Sequence, residues 1–418
     1  MKSAFSFLIA AKRGEIAGLE QLALTSALVN ATGRLIHALQ RERGLSNLYL
    51  ASQGQRWADE RLAQTTHCDA LQAEVRAAFD SLDTDSARAG HGTRLFGRIA
   101  YVLQGLDALP VLRQRVQTRQ WNAARATDGY IRLIQGLLAV VFEAADSASD
   151  PGISRRLVAL FNFMQGKEFA GQERATGSAL FASGTAGPDG QQRLLHLIDS
   201  QERCLQVFAD FASEPLREAW KAVQRHDTLA SLERLRRILA TSLPGGPLDT
   251  ALSQVWFDAC TAHMDAMKTV EDALAAELEA LCRDRLQAAQ HELESLRQWE
   301  EAGPALPGSS DFFGDSQAAP TPPVQGYGPQ VDRSILELVH EQGQRLQQMG
   351  DELDTVRASL NERKLVERAK GLLMAHRQFS EHEAHAALRQ MAMNQNRRLV
   401  DVAQAVLAMA EILPSGKR

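Results

Sequence analysis

The sequence predicts an all-α protein: paired up-and-down helical bundles, a proline/glycine-rich linker, a coiled-coil helix and a small C-terminal three-helix domain. Three observations carry that reading. Leu, Ala, Arg, Gln and Glu abound while aromatic residues are only 6% of the chain, a balance that favours helix. Strand-like runs of alternating β-branched residues are essentially absent, which argues against sheet. Apolar residues recur three and four apart through long stretches, as one face of a helix requires. The 418 residues, 44% of them apolar, suffice for two or three domains with real cores.

The elements follow in order. Residues 4 to about 53 read as one or two amphipathic helices, ending at Gln53-Gly54-Gln55. A helix over about 56–82 carries the stripe Leu62, Leu71, Val75 and Phe79. The polar stretch Asp83–Thr93, with Gly90 and Gly92, is a loop. A third helix is expected to break near Pro110. A fourth carries Ile131, Ile134, Leu137, Leu138, Val141 and Phe142 and stops at Asp150-Pro151-Gly152. Residues 153–183 form the next helix, and Gly184 to Gly190 is a strong turn. That turn has the glycines of a phosphate loop but neither its lysine nor a preceding strand. Helices over about 190–213 and 215–242 follow, then the break Pro244-Gly245-Gly246-Pro247, then a long helix over about 248–301. Two related halves of long helices point to paired up-and-down bundles.

The chain is organised around Gln40-Arg41-Glu42-Arg43-Gly44-Leu45-Ser46, running on to Tyr49-Leu50-Ala51-Ser52. It returns, degraded, as Gln172-Glu173-Arg174-Ala175-Thr176-Gly177-Ser178, running on to Phe181-Ala182-Ser183. Residues three and four apart share a helix face. Arg43 therefore lies with Ile36, Leu39, Asn47 and Leu50, and Arg174 with Ala170, Ser178 and Phe181. A guanidinium on an apolar face needs a partner, because an unpaired buried charge is costly. The neighbouring Glu42 or Glu173 would serve, and so would a ligand. Two like copies can aim two cationic forks at one point, which suits a small planar oxyanion.

The same residues resemble the signature of the nitrate- and nitrite-sensing domain, an all-helical bacterial sensor, over roughly residues 20–300. The resemblance implies that Arg43 and Arg174 bind the anion. A basic residue from a late helix also serves in that family, and Arg236 matches it, lying on the apolar face with Leu229, Leu232 and Leu239. An exposed basic cluster reads equally from the same residues.

Residues 302–332 are dominated by Gly, Pro and Ser and read as a linker. Ile335, Val339, Gln342, Leu346, Met349, Leu353, Val356 and Leu360 then form a heptad seam over 333–360, near the minimum length for a coiled coil. It pairs two chains into a homodimer or packs in cis on the sensor. Residues 361–418 complete the division, with 1–301 as the sensor. From Ser359 to Arg418 ten Lys/Arg stand against six Asp/Glu, a charge of +4 that leaves −9 on the rest of the chain. A basic tail on an acidic body suggests an anionic partner. Ser380-Glu-His-Glu383 is a capping box opening one of its helices.

This tail resembles the ANTAR domain through Arg363, Ala369-Lys370-Gly371-x-Leu-Met, Ser380-x-x-x-Ala384, Leu388-Arg389-x-x-Ala392-Met393 and Arg397-Arg398-Leu399-x-x-Val402-Ala403. The resemblance implies binding to paired RNA hairpins in nascent leaders, preventing terminator formation. Lys370, Arg389, Arg397 and Arg398 become the candidate RNA contacts.

An enzyme is not expected. HExxH, a metal-spaced Cys/His set, a Walker loop and a nucleophile elbow are all missing from the sequence. No cofactor or metal is expected either, only nitrate or nitrite as regulatory ligand. The four scattered cysteines read as reduced, half-buried thiols of a cytoplasmic protein. No stretch reads as a membrane span, so the sensor is expected to act in the cytoplasm. Another small anion, or a partner protein, remains the alternative signal.

Overall fold

Two very long helices set the frame. α1 (Ala4–Ala51) is continuous rather than two pieces, and α9 (Leu252–Ala302) runs beside it. At 1.5 Å per residue each is about 70–75 Å long. The computed structural model describes residues 4–82, 92–225, 227–302, 361–375, 379, 381–395 and 397–412, with Gln348, Gly350, Glu352 and Leu353 between. The expected 83–93 loop, the linker, Ser380 and nearly all of the heptad seam lie outside the described residues.

Between the two long helices come α2 (Ala58–Asp80), α3 (Gly92–Gln117), α4 (Ala123–Ser147), α5 (Pro151–Ser183), α6 (Pro188–Phe211), α7 (Glu214–Gln224) and α8 (Asp227–Thr241). Among the described residues there is no strand, only an isolated bridge between Thr185 and Pro247. That bridge joins the two predicted turns, and backbone bonds from Gly245 to Ala186 and from Leu248 to Gly184 reinforce it. Gly184 ends α5 at φ 69°, a left-handed cap that glycine adopts without strain. At the other end of α5, Asp150 caps Ile153 N–H at 2.8 Å and Pro151 stands in the first turn, a standard helix start.

Two expectations are corrected. Pro110 does not break α3, which continues through it. Leu106, Leu109, Leu112 and Val116 are buried on either side, so packing overrides the lost backbone bond. The expected 215–242 helix is two helices, α7 and α8. α7 ends at Arg225, and its buried anchors Leu216 and Trp220 belong to a different core cluster from those of α8, Leu232, Leu235 and Leu239.

α1 packs on α2, α4 and α9, and α5 packs on α4, α6 and α9. One continuous core runs through both halves, and a smaller one gathers Phe181, Leu194, Leu239 and Trp256 at the far end of α5. All four cysteines are free and fully buried. α3 is, by length and composition alone, apolar enough to cross a membrane over Thr93–Gln117, contrary to the sequence reading. Its stripe of Val102, Leu106 and Val116, none of them exposed, packs in the bundle core.

The C-terminal unit has its own core. α10, described over residues 361–375, α11 (Glu381–Gln395) and α12 (Leu399–Ile412) enclose Ala369, Leu373, Ala384, Leu388, Val402 and Ala403.

Candidate anion-binding site and the docked basic unit

The two repeats meet where α1, α5 and α9 come together. Arg43 is 1% exposed and its guanidinium forks onto Glu168 of α5, at 2.6 and 3.2 Å. Glu168 has no exposure and also accepts from Gln40 at 2.9 Å and from Gln172 at 3.1 Å. Arg174 is 4% exposed. It donates to Thr261 Oγ1 at 2.9 Å and to the Gln40 carbonyl at 3.1 Å, and it lies over the Phe257 ring at 4.8 Å.

Neither arginine is paired to its sequence neighbour, as one copy of the motif alone would suggest. Glu42 is instead clamped by Arg113 of α3 at 2.7 and 2.8 Å and by the Tyr130 hydroxyl of α4 at 2.8 Å. Glu173 is clamped in the same manner by Arg236 of α8 at 2.7 and 2.6 Å and by Gln201 of α6 at 2.5 Å. The repeated Glu-Arg pair is thus a repeated division of labour. In each half the glutamate ties a distant helix to the core and the arginine turns to the centre.

Two glycines make the crossing possible. A Cβ on Gly44 would stand 2.7 Å from Arg174 Nη2, and one on Gly171 would stand 2.3 Å from Arg43 Nη2. Each guanidinium therefore rests where the opposite helix has no side chain. Gly44 is visible in the motif; Gly171 precedes the second copy and was missed in the sequence. Glu168 was missed too, because nothing local in the sequence marks it as the partner of a residue 125 positions earlier.

The electrostatics are unequal. Among the described residues Arg174 has no carboxylate within ion-pair distance, and the Nε–H of Arg43 is buried without a partner. Burial, then the neighbouring Arg43 guanidinium, push the pKa of Arg174 down to about 10. Two buried cations are thus neighbours, and the one ion pair among the described residues that either makes is that of Arg43 with Glu168. Such an arrangement favours an added anion. Arg236 is placed differently. It is gripped by the buried Glu173 and, through Nη1, touches the exposed Glu233 at 2.6 Å, so its charge is matched chiefly by Glu173. Carboxylate partners raise its pKa against the opposing effect of burial.

The basic C-terminal unit lies against α4, α5 and α6. Arg363 donates to Asn162 Oδ1 at 3.0 Å and covers the Phe161 ring at 4.7 Å. Lys364 reaches Asp146 at 2.5 Å, and Arg389 reaches Asp199 at 2.7 Å. The His196 and His385 rings lie 5.1 Å apart across the same contact. Lys370 is 7% exposed and bonds to Glu367 at 3.0 Å. Arg397 is exposed, and Arg398 pairs with Asp401 at 3.2 Å. The four candidate RNA contacts are therefore not on one free face. Arg389 is engaged with the sensor, Lys370 is covered, and Arg397 and Arg398 face outward.

Comparisons with known proteins agree with this division. A family profile described as nitrate and nitrite sensing matches residues 34–279, and the ANTAR domain profile matches residues 354–407. The chain is 37% identical over 402 residues to the nitrate regulatory protein of Klebsiella oxytoca, covering 96% of this chain and 93% of that one. It is also similar to a solved structure of the NasR transcription antiterminator, with 33% identity and a TM-score of 0.60, over 97% of this chain and 99% of that one.

Proposed function

The chain belongs to the family of nitrate regulators that join a nitrate- and nitrite-sensing domain to an ANTAR domain, and from that premise we propose that it is an antiterminator whose anion is held by Arg43 and Arg174. The protein is a nitrate-responsive regulator of transcription antitermination. The observation that carries the assignment of the site is Arg174, a buried guanidinium without a carboxylate, set beside a second buried guanidinium.

An anion seated between the two forks replaces repulsion by charge-assisted hydrogen bonds, each contributing roughly 1.5–3 kcal/mol. A few such bonds are enough for a coupling of ordinary allosteric size. The ligand shifts the balance only by binding one packing of the bundle better than the other. α5 is the natural carrier. It bears Glu168, Gly171 and Arg174 just past its middle and, roughly two to three and a half turns earlier, Phe161 and Asn162, on which Arg363 is docked. Re-seating α5 loosens that dock and frees the basic unit.

Released, the unit binds leader RNA through Lys370, Arg389, Arg397 and Arg398. Hairpin loops with splayed bases are the expected target, because side chains cannot read the deep A-form groove. Arg236 serves this scheme by holding Glu173 rather than by touching the anion. The matched families sense and bind rather than catalyse, and the protein works in the cytoplasm as a homodimer along the 333–360 seam. This reading keeps the domain limits taken from the sequence, 1–301, 302–332, 333–360 and 361–418.

The test is calorimetric titration of the purified protein with nitrate and nitrite, with chloride as control. Saturable binding is expected, and its loss in Arg43→Ala and Arg174→Ala, with RNA binding intact, fixes the site. If both variants still respond to nitrate, the site lies elsewhere. If no anion binds, the signal is another metabolite or a partner protein.

A further inference from the structure

We propose that Glu168 sets the charge of the ligand, restricting this site to anions of a single negative charge. The proposal deepens the reading of Arg43 and Arg174 as the anion site and rests on it. The two Glu-Arg repeats and the residues that clamp them contribute four guanidiniums, the buried Arg43, Arg113 and Arg174 and the half-buried Arg236, and three carboxylates, Glu42, Glu168 and Glu173, at most 1% exposed; the buried Arg61 stands outside this set, over the Tyr49 ring. Each carboxylate is gripped by one guanidinium: Glu42 by Arg113, Glu168 by Arg43, Glu173 by Arg236. Arg174 is left over. The nearby Lys167 is balanced by Glu271 within its own buried pair. Asp69 and Glu233 also meet Arg113 and Arg236, but both are more than half exposed and so count for little in the buried balance.

The centre therefore lacks one negative charge. A monoanion brings it to neutrality. A dianion leaves a net buried negative charge, and burying an unpaired charge is among the costliest changes a protein undergoes. Glu168 fixes this count because it is the one carboxylate among the described residues that pairs with either central arginine: it accepts four hydrogen bonds, two from Arg43 and one each from Gln40 and Gln172. Replacing it by glutamine keeps a group of the same shape with an acceptor for Arg43. It leaves both central guanidiniums uncompensated, which is the charge a dianion requires.

Charge is separated from shape by comparing two tetrahedral anions. The full chain is titrated with nitrate, perchlorate and sulfate at matched ionic strength, by calorimetry and by thermal shift. The native protein is expected to take nitrate and perchlorate and to bind sulfate roughly 100-fold more weakly. In Glu168→Gln, sulfate is expected to rise to within about tenfold of nitrate and to raise the melting temperature. Should that variant fold only with ligand, refolding is attempted in sulfate and in perchlorate, and rescue by sulfate is the supporting result. Equal binding of nitrate and sulfate by the native protein overturns the proposal. So does rejection of perchlorate together with sulfate, which makes shape the filter, and so does a Glu168→Gln protein that sulfate neither binds nor rescues. Failure of the native protein to bind any of the three overturns the underlying assignment of the site instead.

Discussion

At the scale of single residues, the site depends on absences as much as on charges. Gly44 and Gly171 leave the space into which the opposing guanidiniums fit, and a methyl at either position would collide with a charged nitrogen. Gly44→Ala is expected to displace the head of Arg174 and weaken nitrate binding by at least about tenfold, while lowering stability by no more than the roughly 1–3 kcal/mol typical of overpacking. Calorimetry and urea unfolding of one preparation separate the two effects. The arginines were legible in the sequence because the motif occurs twice and periodicity places both on apolar faces. Glu168 and Gly171 were not, because tertiary packing brings them to the arginine and local pattern does not. The apolar face of Arg236 was legible too, but not that its guanidinium would meet Glu173, a carboxylate from another helix.

At the scale of elements, α5 carries both Arg174 and the Phe161–Asn162 seat of Arg363. Its docking partners for the basic unit are two acidic residues on its neighbours, Asp146 on α4 and Asp199 on α6. The Asp199 pair is largely exposed, and such pairs contribute little singly. Reversing both, Asp146→Lys with Asp199→Lys, adds repulsion as well. The double variant is expected to bind leader RNA without nitrate and the native protein only with it; a gel-shift titration with and without nitrate decides. Nitrate-dependent binding that survives unchanged would remove the dock from the mechanism. Elsewhere, the sequence misjudged α3 by treating Pro110 as a stop. The proline is exposed and only its opposite face is packed, so the local penalty is tolerated rather than avoided. Pro110→Ala is accordingly expected to stabilise the protein by about 1–3 kcal/mol, toward the full interior-proline penalty, read from the shift in urea midpoint.

At the scale of the whole molecule, acid is the predicted weakness. Burial, and then Arg236, lower the pKa of His263 to about 4, against an ordinary value of 6.5. Between those values the unfolded chain binds a proton that the folded chain refuses, so stability falls as pH drops through 6.5 toward 4. The slope is at most about 1.4 kcal/mol per pH unit for one histidine. His37 and His385, pushed down by burial to about 2 and 3, act in the same direction. Urea midpoints measured across that range are expected to decline with acid, and less so in His263→Gln. RNA binding, in contrast, is expected to weaken steeply with added salt, because phosphate contacts release counterions; a flat response would remove the electrostatic contacts from the account. One detail of the core has an optical consequence. The indole of Trp256 is wholly buried and donates its N–H to the backbone carbonyl of Arg174 at 3.0 Å. Any movement of that arginine's helix alters the surroundings of a chromophore whose emission colour depends on them. Nitrate seated at Arg174 is therefore expected to change the tryptophan emission without any label, and the change is expected to vanish in Trp256→Phe, which leaves the other four of the five tryptophans as background.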